Sequence, residues 1–268
     1  SESRNMLILL SPAKAMNFDP PPVPAPLTRP VLEADTAQLA AATRKLSVAQ
    51  IRSLMDLSEK LAVLNRERFQ AFDPDSEGAL QAAFAFNGDV YAGLKARELD
   101  PQALAWAQDH VRILSGLYGV LKPLDGIQPY RLEMGSPLRT RRGKTLYAFW
   151  GDRLGRALAE ELASHADPVI VNAASQEYAS AVNRKALRSQ VIDLKFLEEK
   201  DGSSKIISFF AKRARGLMAR YAIDNRIKRA DDLKAFDRDG YRFQAGQSSA
   251  DLWVFSRPQP APAGADKE

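Results

Sequence analysis

The stretch LSGLYGVLKPLDGIQPYRLEM, residues 114–134, packs three glycines and two prolines among large apolar and aromatic side chains. Gly116 and Gly119 bracket Leu117 and Tyr118, a spacing that marks a tight hairpin, a backbone needing positive φ, or close approach of the backbone to a ligand. In the extended run that follows, side chains alternate. Tyr130, Leu132 and Met134 therefore share one side, and Arg131 and Glu133 the other. The apolar side anchors and the charged pair is presented; a core strand with a surface ion pair accounts equally well for the pattern.

Outward from this stretch the elements fall into alternation. Upstream, Asp100-Pro101 supplies a helix N-cap with proline in the first turn, and residues 111–114 read as a buried strand, the alternative being a helix that runs on into a hairpin at residues 115–118. At the start of the chain, Met6 to Leu10 is a short apolar strand stopped by Ser11-Pro12-Ala13-Lys14. Residues 19–30 hold six prolines and form an extended surface connector. Leucines at helical spacing run through residues 39–64, with a capping box at Ser47-Val48-Ala49-Gln50. Residues 84–94 form a hairpin or a turn that starts a helix.

Downstream, residues 145–162 are helical. Residues 168–172 are a second strand ending in polar residues, 191–197 and 205–210 a hairpin about Asp201-Gly202, and 241–243 and 252–255 late strands. The expectation is an α/β (mixed α+β) chain with one compact domain over residues 6–257, a mixed sheet flanked by helices, and a disordered tail at 258–268. Residues 1–5 precede the first apolar run and are left out of this reading.

The chain has no cysteine and two histidines, His110 and His165, which removes disulfides, thiolate chemistry and nearly all zinc patterns. Both histidines read as helix C-terminal residues. No cofactor and no metal site is expected. No apolar run is long enough to span a bilayer and no signal peptide is legible, so a soluble, cytoplasmic protein is expected, its oligomeric state open. The formal net charge is +5, but residues 131–156 carry seven basic side chains against two acidic, and residues 205–229 eight against one. These segments hold a net +12 and the remainder −7, an asymmetry that points to an anionic partner.

Two constellations carry the chemistry. On a helix over residues 211–229, Lys212, Arg213, Arg215, Arg220 and Arg226 fall on one side and Ala214, Leu217, Met218 and Tyr221 on the other. Gly216 lies within the cationic side, where a missing side chain lets a phosphate approach; a solvated basic face with a tolerated glycine is the plainer account. The strand-end loops form the second. Ser11 and Lys14, Asn172, Ser175 and Glu177, with Tyr130, Arg131 and Glu133, would line a cleft suited to a phosphorylated or nucleotide ligand. Lys14, Glu133 and Glu177 are its candidates for acid–base work. Ordinary loop hydrogen bonding would employ the same residue types.

Taken together, LILLSPAK, FNGDVYAGL, LSGLYGVLKPLDGIQPYRLEMG, LYAFWGD, NAASQEY and IISFFAKRARGLMARY resemble the bacterial YaaA family of peroxide stress proteins, over roughly residues 6–255. The resemblance implies a cytoplasmic protein that limits free intracellular iron and oxidative damage, binds duplex or branched DNA without sequence preference, and has a family-specific α/β fold with a basic cleft and a helix-hairpin-helix element. Residues 114–124 are the candidate for that element, with Gly116 and Gly119 presenting backbone N–H groups to phosphates. Lys212, Arg213, Arg215, Gly216 and Arg220, with Arg139, Arg141, Arg142 and Lys144, are the corresponding DNA contacts. Lacking cysteine and a Glu-x-x-His pair, the chain would act on peroxide indirectly. An enzyme acting on a small phosphorylated ligand is the other reading.

Overall fold

The computed structural model describes residues 6–163 and 168–262. Strand β1 (Met6–Leu10) is wholly buried and lies between β2 (Val111–Ser115) and β4 (Val169–Ala173), parallel to both. The parallel set continues through β5 (Gln190–Lys200) to β8 (Leu252–Pro258). Continuous apolar runs such as MLILL suit strands buried on both faces, which is why the middle of the sheet is parallel. Antiparallel partners close the edges: β3 (Gly119–Leu121) on β2, and β7 (Arg242–Phe243) on β8. A short β6 (Ser203–Lys205) pairs with the end of β5, completing an eight-stranded mixed sheet in the order β7-β8-β5-β4-β1-β2-β3. From β1 the chain goes first to one side and later to the other, which makes the β1 end the topological switch point.

Helices flank this sheet. α1 (Glu33–Arg44), α2 (Val48–Met55) and α3 (Glu59–Ala71) come first. At α2 the expected capping box is complete, with Ser47 N–H on Gln50 Oε1 and Gln50 N–H on Ser47 Oγ. The FNGDVYAGL segment is a turn that starts a helix: Phe86–Asn87 pairs with Ala15–Met16, then α4 (Asp89–Leu94) begins. α5 (Pro101–His110) is capped by Asp100, which accepts from Ala103 N–H at 2.8 Å, and delivers the chain into β2. His110 ends it, stacked on Trp106 with Nδ1 3.0 Å from the Met6 carbonyl. The proline-rich connector docks through Thr28 on Asp125 and through Gln81, which donates to the Ala25 and Pro26 carbonyls. The main apolar core runs from Met6 to Phe255, and Ile51, Met55, Leu57, Ala62 and Phe69 form a smaller cluster at α2 and α3.

Several expectations are corrected. Residues 114–124 are not helix-hairpin-helix: they are the β2–β3 hairpin, buried throughout residues 114–121, because the alternating apolar pattern joins the sheet. The helical stretch 145–162 is two helices, α6 (Leu146–Trp150) and α7 (Arg153–Leu162), divided at Gly151, whose φ of 51° ends the first. The hairpin about Asp201-Gly202 is present, but its second strand ends at Lys205 and α8 (Ser208–Asp224) begins where a strand was expected to continue. Pro258 belongs to β8, and Gln259 N–H donates to the Glu199 carbonyl, so the ordered chain outlasts the expected boundary; the rest of the expected tail, residues 263–268, lies outside the described residues, as does His165.

Candidate functional site

The parallel register brings the C-terminal ends of β2, β1 and β4 side by side, and the loops that leave them build the site. Ser11, directly after β1, accepts the Ser175 N–H on its hydroxyl at 2.8 Å, while its carbonyl accepts the Tyr91 hydroxyl at 2.8 Å. This ties the β1 loop to the β4 loop and to α4. Three residues later Lys14 reaches Glu133, Nζ to Oε1 2.9 Å, and Arg131 Nη2 stands 3.4 Å from the same oxygen. Glu177 receives the Gly135 N–H at 2.9 Å on Oε2, and its carbonyl accepts the Tyr147 hydroxyl at 2.7 Å. Segment 130–136 thus crosses the strand ends, with Tyr130, Leu132, Met134 and Ser136 buried and Arg131 and Glu133 on the other side, as alternation predicts.

Beneath lies a tyrosine floor. Tyr130 Oη and Ser115 Oγ share a hydrogen bond of 2.6 Å, and Ser115 Oγ also accepts the Tyr118 N–H at 3.0 Å. Burial pushes the Tyr91, Tyr118, Tyr130 and Tyr178 hydroxyls well above the ordinary phenol range, so all four stay protonated. At Tyr178 the shift comes from burial first and then from the charges of Tyr130, Glu177 and Glu133. Tyr91, Tyr147 and Tyr178 were missed in the sequence. The signal was available, since Tyr91 and Tyr178 close the FNGDVY and NAASQEY segments that follow strand ends.

The structure therefore brings together Ser11, Lys14, Arg131, Glu133, Ser175 and Glu177. It does not add Asn172: this side chain donates to Asp193 Oδ1 at 2.8 Å and accepts from Ala174 N–H, fixing the turn after β4. Tyr130 lies below the cleft, in the floor.

The two basic segments fare differently. After Gly135 the chain makes a tight turn at residues 140–143, where Thr140 and Gly143 exchange backbone hydrogen bonds, and returns into α6. Arg139, Arg141 and Lys144 are exposed on this loop, and no ion pair joins them to a carboxylate among the described residues. Arg142 is inward, donating to Asp35, Gln38 and the Phe149 carbonyl with its guanidinium 4.2 Å from the Phe149 ring centre. Arg142 is a strut of the loop.

On α8 the expected cationic side is covered by α4. A Cβ on Gly216 would stand 1.8 Å from the Val90 carbonyl oxygen, and one on Gly93 2.3 Å from the Arg213 oxygen, so the two helices cross backbone to backbone. No phosphate can approach Gly216, and the expectation of an open face there is corrected. Arg220 donates to the Leu94 and Lys95 carbonyls and to Asp224, closing the end of α4, and Arg213 pairs with Asp239 at 3.1 Å. Arg215 is part-buried, and burial lowers its affinity for the proton. Lys212 is exposed. Gly116 and Gly119 are equally enclosed: a Cβ on Gly116 would meet the Leu132 oxygen at 2.1 Å, and Gly119, at φ 75°, faces Leu32, Trp150 and Leu154.

Among the described residues no group of three or more His, Asp or Glu side chains could hold a metal ion, and no helix is long and apolar enough to cross a membrane.

A family model described as peroxide stress protein YaaA matches residues 6–247, which include every residue of this site. A UPF0246 protein of Phenylobacterium zucineum is 64% identical over 98% of this chain and 98% of its own length. UPF0246 proteins of Caulobacter vibrioides and Albidiferax ferrireducens are 59% and 52% identical, each over 95% of this chain and 100% and 99% of their own.

Proposed function

The chain belongs to the peroxide stress protein YaaA family, and from that premise we propose that it serves the stress response by binding DNA along the rim of the strand-end cleft. In that response it limits free intracellular iron and oxidative damage to DNA, its effect on peroxide being indirect. One observation carries this reading: Arg139, Arg141 and Lys144 stand in solvent on a loop held to Glu177 at both ends, through Gly135 and Tyr147. Cations on a pinned loop lose little freedom when they meet phosphates. Contacts of this kind follow the backbone of duplex or branched DNA and read no sequence.

Titration of labelled duplex and four-way branched DNA at several salt concentrations tests it. With three phosphates neutralised, log K should fall with log salt at a slope of roughly −3. Affinity independent of salt, or confined to one sequence, contradicts the proposal.

A further inference from the structure

Below the rim, the Arg131 guanidinium is held in an unfinished arrangement. Its side chain is 17% exposed, Nε is buried without a hydrogen-bond partner, and Nη2 keeps Glu133 at 3.4 Å, longer than the usual charge-assisted contact. Nε and Nη2 form the edge by which a guanidinium grips an oxyanion with two parallel bonds. Glu133 does not complete that grip, because Lys14 holds the same Oε1 more closely, at 2.9 Å. The Lys14–Glu133 pair is neutral as a unit, which leaves the charge of Arg131 available. Buried donors are seldom left unmet, and one beside a strand-end cleft is placed for a ligand to complete it.

We propose that Arg131, assisted by Lys14, forms a small-molecule site for the oxyanion of a phosphorylated or carboxylated ligand, separate from the DNA-binding rim. Glu133 stands beside the bound group, and Glu177 keeps one oxygen on the Gly135 N–H.

The test is thermal unfolding and calorimetric titration of the full chain in inorganic phosphate and in acetate, each against chloride at equal ionic strength. Either anion should raise the melting temperature with concentration beyond chloride, and the one that does so identifies phosphate or carboxylate as the group held. Arg131→Lys keeps the charge but removes Nε, and should weaken the response by at least about tenfold, the loss of one charge-assisted bond. Lys14→Ala, at an exposed position that leaves folding intact, should weaken it severalfold. The triple variant Arg139→Glu, Arg141→Glu, Lys144→Glu should lose DNA and retain the anion response, so failure of one reading is distinct from failure of the other. A wild-type chain stabilised no more by either anion than by chloride overturns the proposal, as does Lys14→Ala or a folded Arg131→Lys that responds as wild type.

Discussion

Residues 131–156 and residues 205–229 are both strongly basic in sequence, at net +5 and +7, and opposite in use. The first segment gathers Arg139, Arg141 and Lys144 on one exposed loop, while Arg131 and Arg142 turn inward and Arg153 and Arg156 lie on α7, paired with Asp35 and Asp152. The second is mostly one helix of 17 residues, about 25 Å long. It crosses the sheet from Lys205, paired with Glu198 near the end of β5, to Lys228 and Arg229, which border a groove with Val169 and Gln190 at the starts of β4 and β5. Its cations are therefore dispersed, and small residues at Ala211, Ala214, Gly216, Ala219 and Ala222 let its neighbours close over it. Charge density in a sequence reports how many cations there are. The size of the side chains between them decides whether they reach solvent.

The largest effect should come from breaking this packing. Gly216→Leu forces α8 away from Val90 and should destabilise by about 3 kcal/mol in urea unfolding, with Gly93→Ala smaller in the same direction. An exposed helical glycine would instead gain about 1 kcal/mol on conversion to alanine. A stabilised Gly216→Ala would therefore refute the helix crossing. Next, Arg220→Ala removes the donors that close α4 at the Leu94 and Lys95 carbonyls, and should cost about 1–2 kcal/mol while leaving DNA affinity unchanged. Lost affinity without lost stability would return Arg220 to the interface.

A smaller effect is expected from acid. Burial raises the Asp224 carboxyl, but hydrogen bonds from Arg220 and Arg238 outweigh it and hold the group below the ordinary aspartate value. A depressed folded value means stability that is present above the unfolded pKa, about 3.9, and is lost as pH falls through the folded one. Asp224→Asn should therefore lose less stability than wild type between about pH 4 and pH 2. Equal losses would show that the Arg220 and Arg238 contacts carry no linkage.

Much of this was legible in advance. The apolar runs at Met6–Leu10 and Val169–Ala173 specify buried parallel strands, and the polar residues directly after them specify where a cleft opens. The alternation Tyr130 to Met134 foretold which side chains face it. Two things were not legible. Gly116 and Gly216 each mark close approach of a backbone, but a lone sequence cannot say whose; here the partners are Leu132 and Val90. The cationic arc of α8 follows from helical spacing, but nothing local shows that α4, over a hundred residues earlier in sequence, covers it.

The central claim is that the loop cations, and not those of α8, meet the phosphates. Two charge-reversed proteins decide it: Arg139→Glu with Arg141→Glu and Lys144→Glu, and Arg213→Glu with Arg220→Glu, each checked for folding and titrated with the same duplex at low salt. The account predicts that the loop variant loses at least about a hundredfold in affinity, given three phosphate contacts removed, while the α8 variant loses stability but binds within a few-fold of wild type once folded. Wild-type affinity in the loop variant, with binding abolished in a folded α8 variant, would contradict it.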